Sequence, residues 1–209
     1  MNLTLKESLV TRSRVFSPWT AFYFLQSLLI NLGLGYPFSL LYTAAFTAIL
    51  LLLWRTLPRV QKVLVGISSL VAACYFPFAQ AYGAPNFNTL LALHSTNMEE
   101  STEILTIFPW YSYLVGIFIF ALGVIAIRRK KESEKARWNT FDSLCLVFSV
   151  ATFFVAPVQN LAWGGVFKLK DTGYPVFRFA KDVIVNNNEV IEEQERMAKL
   201  SGMKDTWTV

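Results

Sequence analysis

Between Pro85 and Pro109 the chain carries Glu99, Glu100 and Glu103 and not one Lys or Arg. Carboxylates hold ammonium groups through charge-assisted hydrogen bonds. Thr96 stands four residues before Glu100, so on a helix a hydroxyl and a carboxylate occupy adjacent turns of one face. That pair suits a zwitterionic lipid head, with the carboxylate on the ammonium and the hydroxyl bonded to the phosphate or the amine nitrogen. The same spacing also describes the wet face of an ordinary interfacial helix, and periodicity alone leaves both readings open. Asn88 and Thr89 lie on the same side, upstream of Thr96; they extend the pocket or cap the helix start, and Asn86 after Pro85 is the better capping residue. His94 falls on the apolar side, and nothing in the sequence pairs with it.

Other candidates are sparser. Arg178 and Lys181 are three apart and near Tyr174, a spacing that suits a phosphate at a membrane surface, as do Lys168 and Lys170; general attraction to anionic lipid explains them equally. Gln26, Asn31, Gln80, Gln159 and Asn160 interrupt apolar runs, with Asp142 near an inner boundary. Polar groups there either line an outward-facing cavity or bond between helices. Cys74 and Cys145 fall at different depths, which argues against a disulfide. With His94 the only histidine, no zinc site of three or four Cys and His ligands can be assembled. There is no nucleophile elbow and no Gly-rich phosphate loop.

These residues must be positioned by helices. At 100° per residue, Phe87, Leu90, Leu91, His94, Met98 and Leu105 form one stripe, opposite Thr89, Thr96, Glu100 and Glu103. The 86–108 stretch is therefore expected to lie flat on a bilayer with its acidic face in water. The composition, 54% hydrophobic and 15% aromatic over 209 residues, exceeds what a soluble domain of this size can bury. An all-α membrane protein is expected, with five spans at Ser17 to Leu34, Tyr36 to Trp54, Val60 to Ala81, Trp110 to Ile127 and Phe141 to Trp163.

The formal charge of +5 comes from basic residues clustered beside those runs, a pattern of membrane orientation that offers no nucleic-acid reader. Arg55, Arg59 and Lys62 follow the second span and six basic residues from Arg128 to Arg137 follow the fourth, whereas the 82–109 loop has none. The N-terminus is then cytoplasmic, and the acidic helix and the C-terminus are outside. Trp19, Trp54, Trp110 and Trp163 sit near the expected interfaces, and Pro77 and Pro157 are expected to kink the outer ends of their spans. Two units follow, a membrane domain over 1–163 and a connector over 164–209 made of one helix or two, too poor in apolar positions for a core of its own.

The segment from Tyr82-Gly83-Ala84-Pro85 through Leu90-Leu91-Ala92-Leu93-His94-Ser95-Thr96-Asn97-Met98-Glu99-Glu100-Ser101-Thr102-Glu103 resembles the periplasmic helix of bacterial phosphoethanolamine transferases. Its Thr-Asn-x-x-Glu pattern matches the family's phosphatidylethanolamine site, which assigns Thr96 and Glu100 to the donor. Members directed at lipid A carry an Asn where this chain has Ala92, so the resemblance leans toward the branch acting on osmoregulated periplasmic glucans. It implies an inner-membrane protein with a periplasmic connector. It also implies a sulfatase-like catalytic domain beyond Val209, holding zinc and a Thr nucleophile. Phosphoethanolamine would pass from phosphatidylethanolamine to that Thr and then to a glycan or lipid acceptor, releasing diacylglycerol. The candidate substrate-binding set is Thr96, Glu100, Asn88, Glu103, Tyr174 and Arg178, with no catalytic residue in the chain itself. A non-catalytic transporter subunit or scaffold is the alternative; the absence of a charged residue in mid-span and of an internal repeat weighs against it.

Overall fold

The computed structural model describes residues 18–95, 106–129, 138, 140–163 and 172–205. Among them are seven helices and no strand: α1 (Pro18–Gly33), α2 (Leu40–Thr56), α3 (Pro58–Tyr82), α4 (Phe87–Ser95), α5 (Trp110–Arg128), α6 (Thr140–Ala162) and α7 (Pro175–Asp205). The all-helical expectation holds among the described residues, and Pro175–Asp205, within the stretch read as one helix or two, is one continuous helix. Of the five expected spans, α3, α5 and α6 are long and apolar enough to cross a membrane; α2 is apolar but has 17 residues. Pro18 opens α1, where its missing N–H costs nothing. Pro77 and Pro157 lie inside α3 and α6.

Polarity runs opposite to that of a water-soluble bundle. Large apolar side chains such as Leu70, Ile117, Phe118, Leu144 and Val147 face outward, while Gln26, Ser27, Asn31, Thr43, Gln61 and Ser69 are buried. Burying polar groups is tolerable only when they bond to one another. The amide of Gln26 donates from Nε2 to Ser69 Oγ at 3.0 Å, and Asn31 Nδ2 donates to Thr43 Oγ1 at 3.0 Å. Thr47 Oγ1 donates to Ser27 Oγ at 3.1 Å, and Gln61 Nε2 to the Tyr23 hydroxyl at 3.3 Å. Gln26 and Asn31 are thus interhelical ties, whereas Gln80, Gln159 and Asn160 are exposed.

Small residues bring α3 and α5 into close register. Ser112, Gly116, Ile119, Gly123 and Ala126 form the buried stripe of α5. A Cβ on Gly116 would meet the Ala73 carbonyl oxygen at 2.7 Å, and one on Gly123 would meet Ser69 Cβ at 2.6 Å. At the end of the bundle where α2 and α5 finish and α6 begins, Arg55 pairs with Asp142, and the Arg129 guanidinium lies 4.0 Å from the Trp19 ring and 3.6 Å from that of Trp54. At the opposite end the turns after α1 and α3 meet. Gly35, at φ +80, packs backbone-to-backbone on Gly83, a contact and a conformation that both exclude a side chain.

Candidate functional site

The second end carries Asn86, Asn88 and Thr89, three of the polar residues that the sequence singled out. Asn86 caps α4: its Oδ1 accepts from the Thr89 N–H at 3.0 Å and from the Thr89 hydroxyl at 3.1 Å. With Asn86 in that role, Asn88 is left for the cavity beside it. Asn88 and Thr89, expected on the water-facing side, line a cavity of about 630 Å³ between α4, the C-terminal half of α3 and the start of α7. Leu70, Cys74 and Phe78 of α3, Leu90 and Leu93 of α4, and Phe179 of α7 give it apolar walls. Thr96, Glu100 and Glu103 lie outside the described residues, as do Lys168 and Lys170.

Helix α7 is held against α4 by groups that composition does not flag. His94 Nε2 donates to Asn187 Oδ1 at 2.8 Å, so the histidine does have a partner, 93 residues away. Asn186 Nδ2 donates to the Pro85 carbonyl at 3.5 Å and to the Asp182 carbonyl at 2.6 Å. On the adjacent face Tyr36 donates its phenolic proton to Asp182 Oδ2 at 2.8 Å. Arg178 Nε and Lys181 Nζ flank the same carboxylate at 3.5 and 3.7 Å, and the Arg178 guanidinium sits 5.0 Å from the Tyr36 ring centre. Burial pushes the Tyr36 phenol well above its ordinary range, and the Asp182 carboxylate that accepts its proton pushes it further. The Arg178 side chain remains 51% exposed, so its outer N–H groups stay available to an anion at the surface.

Tyr174 takes a different place from Arg178. It is 1% exposed, donates its hydroxyl to the Ser149 carbonyl at 2.8 Å and packs edge-on against Tyr42, a wedge between α2 and α6 that sets where α7 begins. Its burial pushes the phenol up to about 12. Cys74 is exposed and Cys145 buried, both as free thiols. Among the described residues no three His, Cys, Asp or Glu side chains come together as a metal site.

Tyr36, Asp182, Asn186 and Asn187 were not legible as site residues in the sequence. The one signal available in the sequence was that Asp182 and Asn186 stand four apart, on one face of a helix.

No family model matches the chain. No solved structure matches it. The chain is 99% identical over all 209 residues to the phosphoethanolamine transferase OpgE of Escherichia coli (strain K12), of whose length it spans 40%, and the resemblance to phosphoethanolamine transferases read from the sequence is borne out.

Proposed function

We propose that this chain is the membrane-embedded, donor-presenting part of a phosphoethanolamine transferase. Five helices, α1, α2, α3, α5 and α6, cross the bacterial inner membrane with the N-terminus in the cytoplasm; α4 and α7 lie on the periplasmic side. Support for that orientation comes from Arg55, Arg59, Lys62, Arg128 and Arg129, all near the end of the bundle opposite α4. The donor is phosphatidylethanolamine and the acceptor a periplasmic glycan, of the osmoregulated glucan class, or a lipid. Glu100 takes the ammonium group, Thr96 bonds the phosphate or the amine, and Asn88 adds an amide at the cavity. Arg178 meets the phosphate from α7. Glu103 adds negative charge that draws the ammonium toward the helix. Catalysis, zinc included, belongs to a domain outside these residues, and α7 leads to it.

The observation that carries this reading is the position of α4, whose amide and hydroxyl groups rim an apolar cavity that opens beside a membrane-length helix. A head group and a hydrocarbon tail need that combination together. In the full-length enzyme, Glu100→Ala is expected to lower transfer from radiolabelled phosphatidylethanolamine by ~10- to 100-fold, the worth of a hydrogen bond to a charged group, with the melting temperature unchanged. Wild-type transfer by that variant would remove Glu100 from the site.

A further inference from the structure

We infer that the cavity between α3, α4 and α7 is a slot for an acyl chain of a phospholipid, the donor's own. This rests on the donor-presenting reading and specifies which part of the lipid the chain grips below the head group.

Three features point to hydrocarbon rather than a protein segment. The first is size: a methylene takes about the space of a water molecule, roughly 30 Å³, so a chain of about 16–18 carbons needs on the order of 500 Å³. The cavity offers about 630 Å³, enough for such a chain. The second is length. The α3 wall runs from Leu70 to Tyr82, which at 1.5 Å per residue is about 18 Å. One leaflet of hydrocarbon is about 15 Å, half of the ~30 Å core. The third is the separation of polarity along that wall. Leu70, Cys74 and Phe78 provide no strong hydrogen-bonding group at depth, whereas Asn86, Asn88 and Thr89 cluster at the Tyr82 end, where ester and phosphate oxygens would emerge. A helix about 10 Å across is too wide for the space, and an extended peptide segment would bring backbone N–H and C=O groups into the deep end and leave them unsatisfied. Hydrocarbon brings none.

The slot also borders the clasp between α4 and α7, since Phe179 closes one side while its ring packs edge-on against Tyr75 at 5.0 Å. A chain seated there touches both helices that carry head-group contacts. In a bilayer the walls gain nothing from leaving water, so preference for a chain comes from close packing and from its tether to the head group.

The test uses the full-length enzyme in nanodiscs with a phosphatidylethanolamine bearing a diazirine in one acyl chain. After illumination, mass spectrometry is expected to find crosslinks at Leu70, Cys74, Phe78 and Leu93 at least fivefold above Ile117, Leu144 and Val147, which face outward elsewhere on the bundle. Excess unlabelled phosphatidylethanolamine should reduce them. Cys74→Trp, and independently Leu93→Trp, fill the space and should remove the enrichment and raise KM for the donor by about tenfold while kcat stays within twofold. Uniform crosslinking with transfer intact would overturn the slot and leave the donor reading standing. Enriched crosslinking with no transfer from phosphatidylethanolamine would keep the slot and overturn the donor reading. Crosslinks that a free fatty acid displaces and phospholipid does not, or a cavity that no lipid enters, would overturn the slot as well.

Discussion

At the scale of single residues, the end of the bundle beside α4 depends on phenols whose protons are held in place. Tyr174 and Tyr36 both bury hydroxyls that donate hydrogen bonds, one to the Ser149 carbonyl and one to Asp182. A phenol whose folded pKa is raised favours the neutral form in the native state. Its contribution is therefore complete below the unfolded value and is lost as pH rises through the folded one. For Tyr174 that window runs from 10.0 to about 12. Melting temperature is expected to fall steeply across it in the wild type and less steeply in Tyr174→Phe; equal slopes would show that the buried phenol does not couple to folding. Tyr36→Phe should cost ~1.5–3 kcal/mol at neutral pH, the range for a hydrogen bond to a charged group, read as a lower melting temperature in detergent. The Tyr36–Asp182 pair is separated by 146 residues, so no local spacing could have revealed it. Asn86, by contrast, was legible because a cap is a local matter of one side chain and the next turn.

At the scale of helices, legibility followed the physics of the solvent. A bilayer demands long apolar runs, and the boundaries of α3, α5 and α6 lie within two residues of the expected spans. The packing between them was not legible, because it depends on which small residues face each other across two helices distant in sequence. Gly116 stands over the Ala73 carbonyl, and that contact fixes how closely α5 approaches α3. Gly116→Leu is expected to destabilise by ~1–3 kcal/mol through overpacking, seen as loss of monodisperse protein and a lower melting temperature. Gly66→Ala should be nearly silent, because the added methyl meets the flexible end of Ile127 at 3.0 Å. A tolerated Gly116→Leu would mean that the two helices are not in close contact in the membrane. The cavity escaped the sequence for a related reason: Asn88 and Thr89 gain meaning only from the α3 wall opposite them, and that wall reads simply as lipid-facing helix.

At the scale of the whole molecule, the two ends divide the work. One end is basic and is fastened by Arg55–Asp142 and by Arg129 between two indoles. The other end gathers the cavity, the α4 cap and the α7 anchor. His94–Asn187 and Asn186–Pro85 make those two helices one unit. The resemblance identified from Thr96 and Glu100 agrees with the relative that matches the whole chain. The central proposal is that the Glu100 carboxylate selects an ammonium head group. Its most direct test is the relative affinity of the full-length protein for phosphatidylethanolamine and phosphatidylglycerol of matched chains, compared between wild type and Glu100→Gln. The expected result is a preference of about tenfold or more for phosphatidylethanolamine, equivalent to about 1.4 kcal/mol, that disappears in the variant while phosphatidylglycerol binding is unchanged. A preference that survives the loss of the carboxylate, or no preference in the wild type, would contradict it.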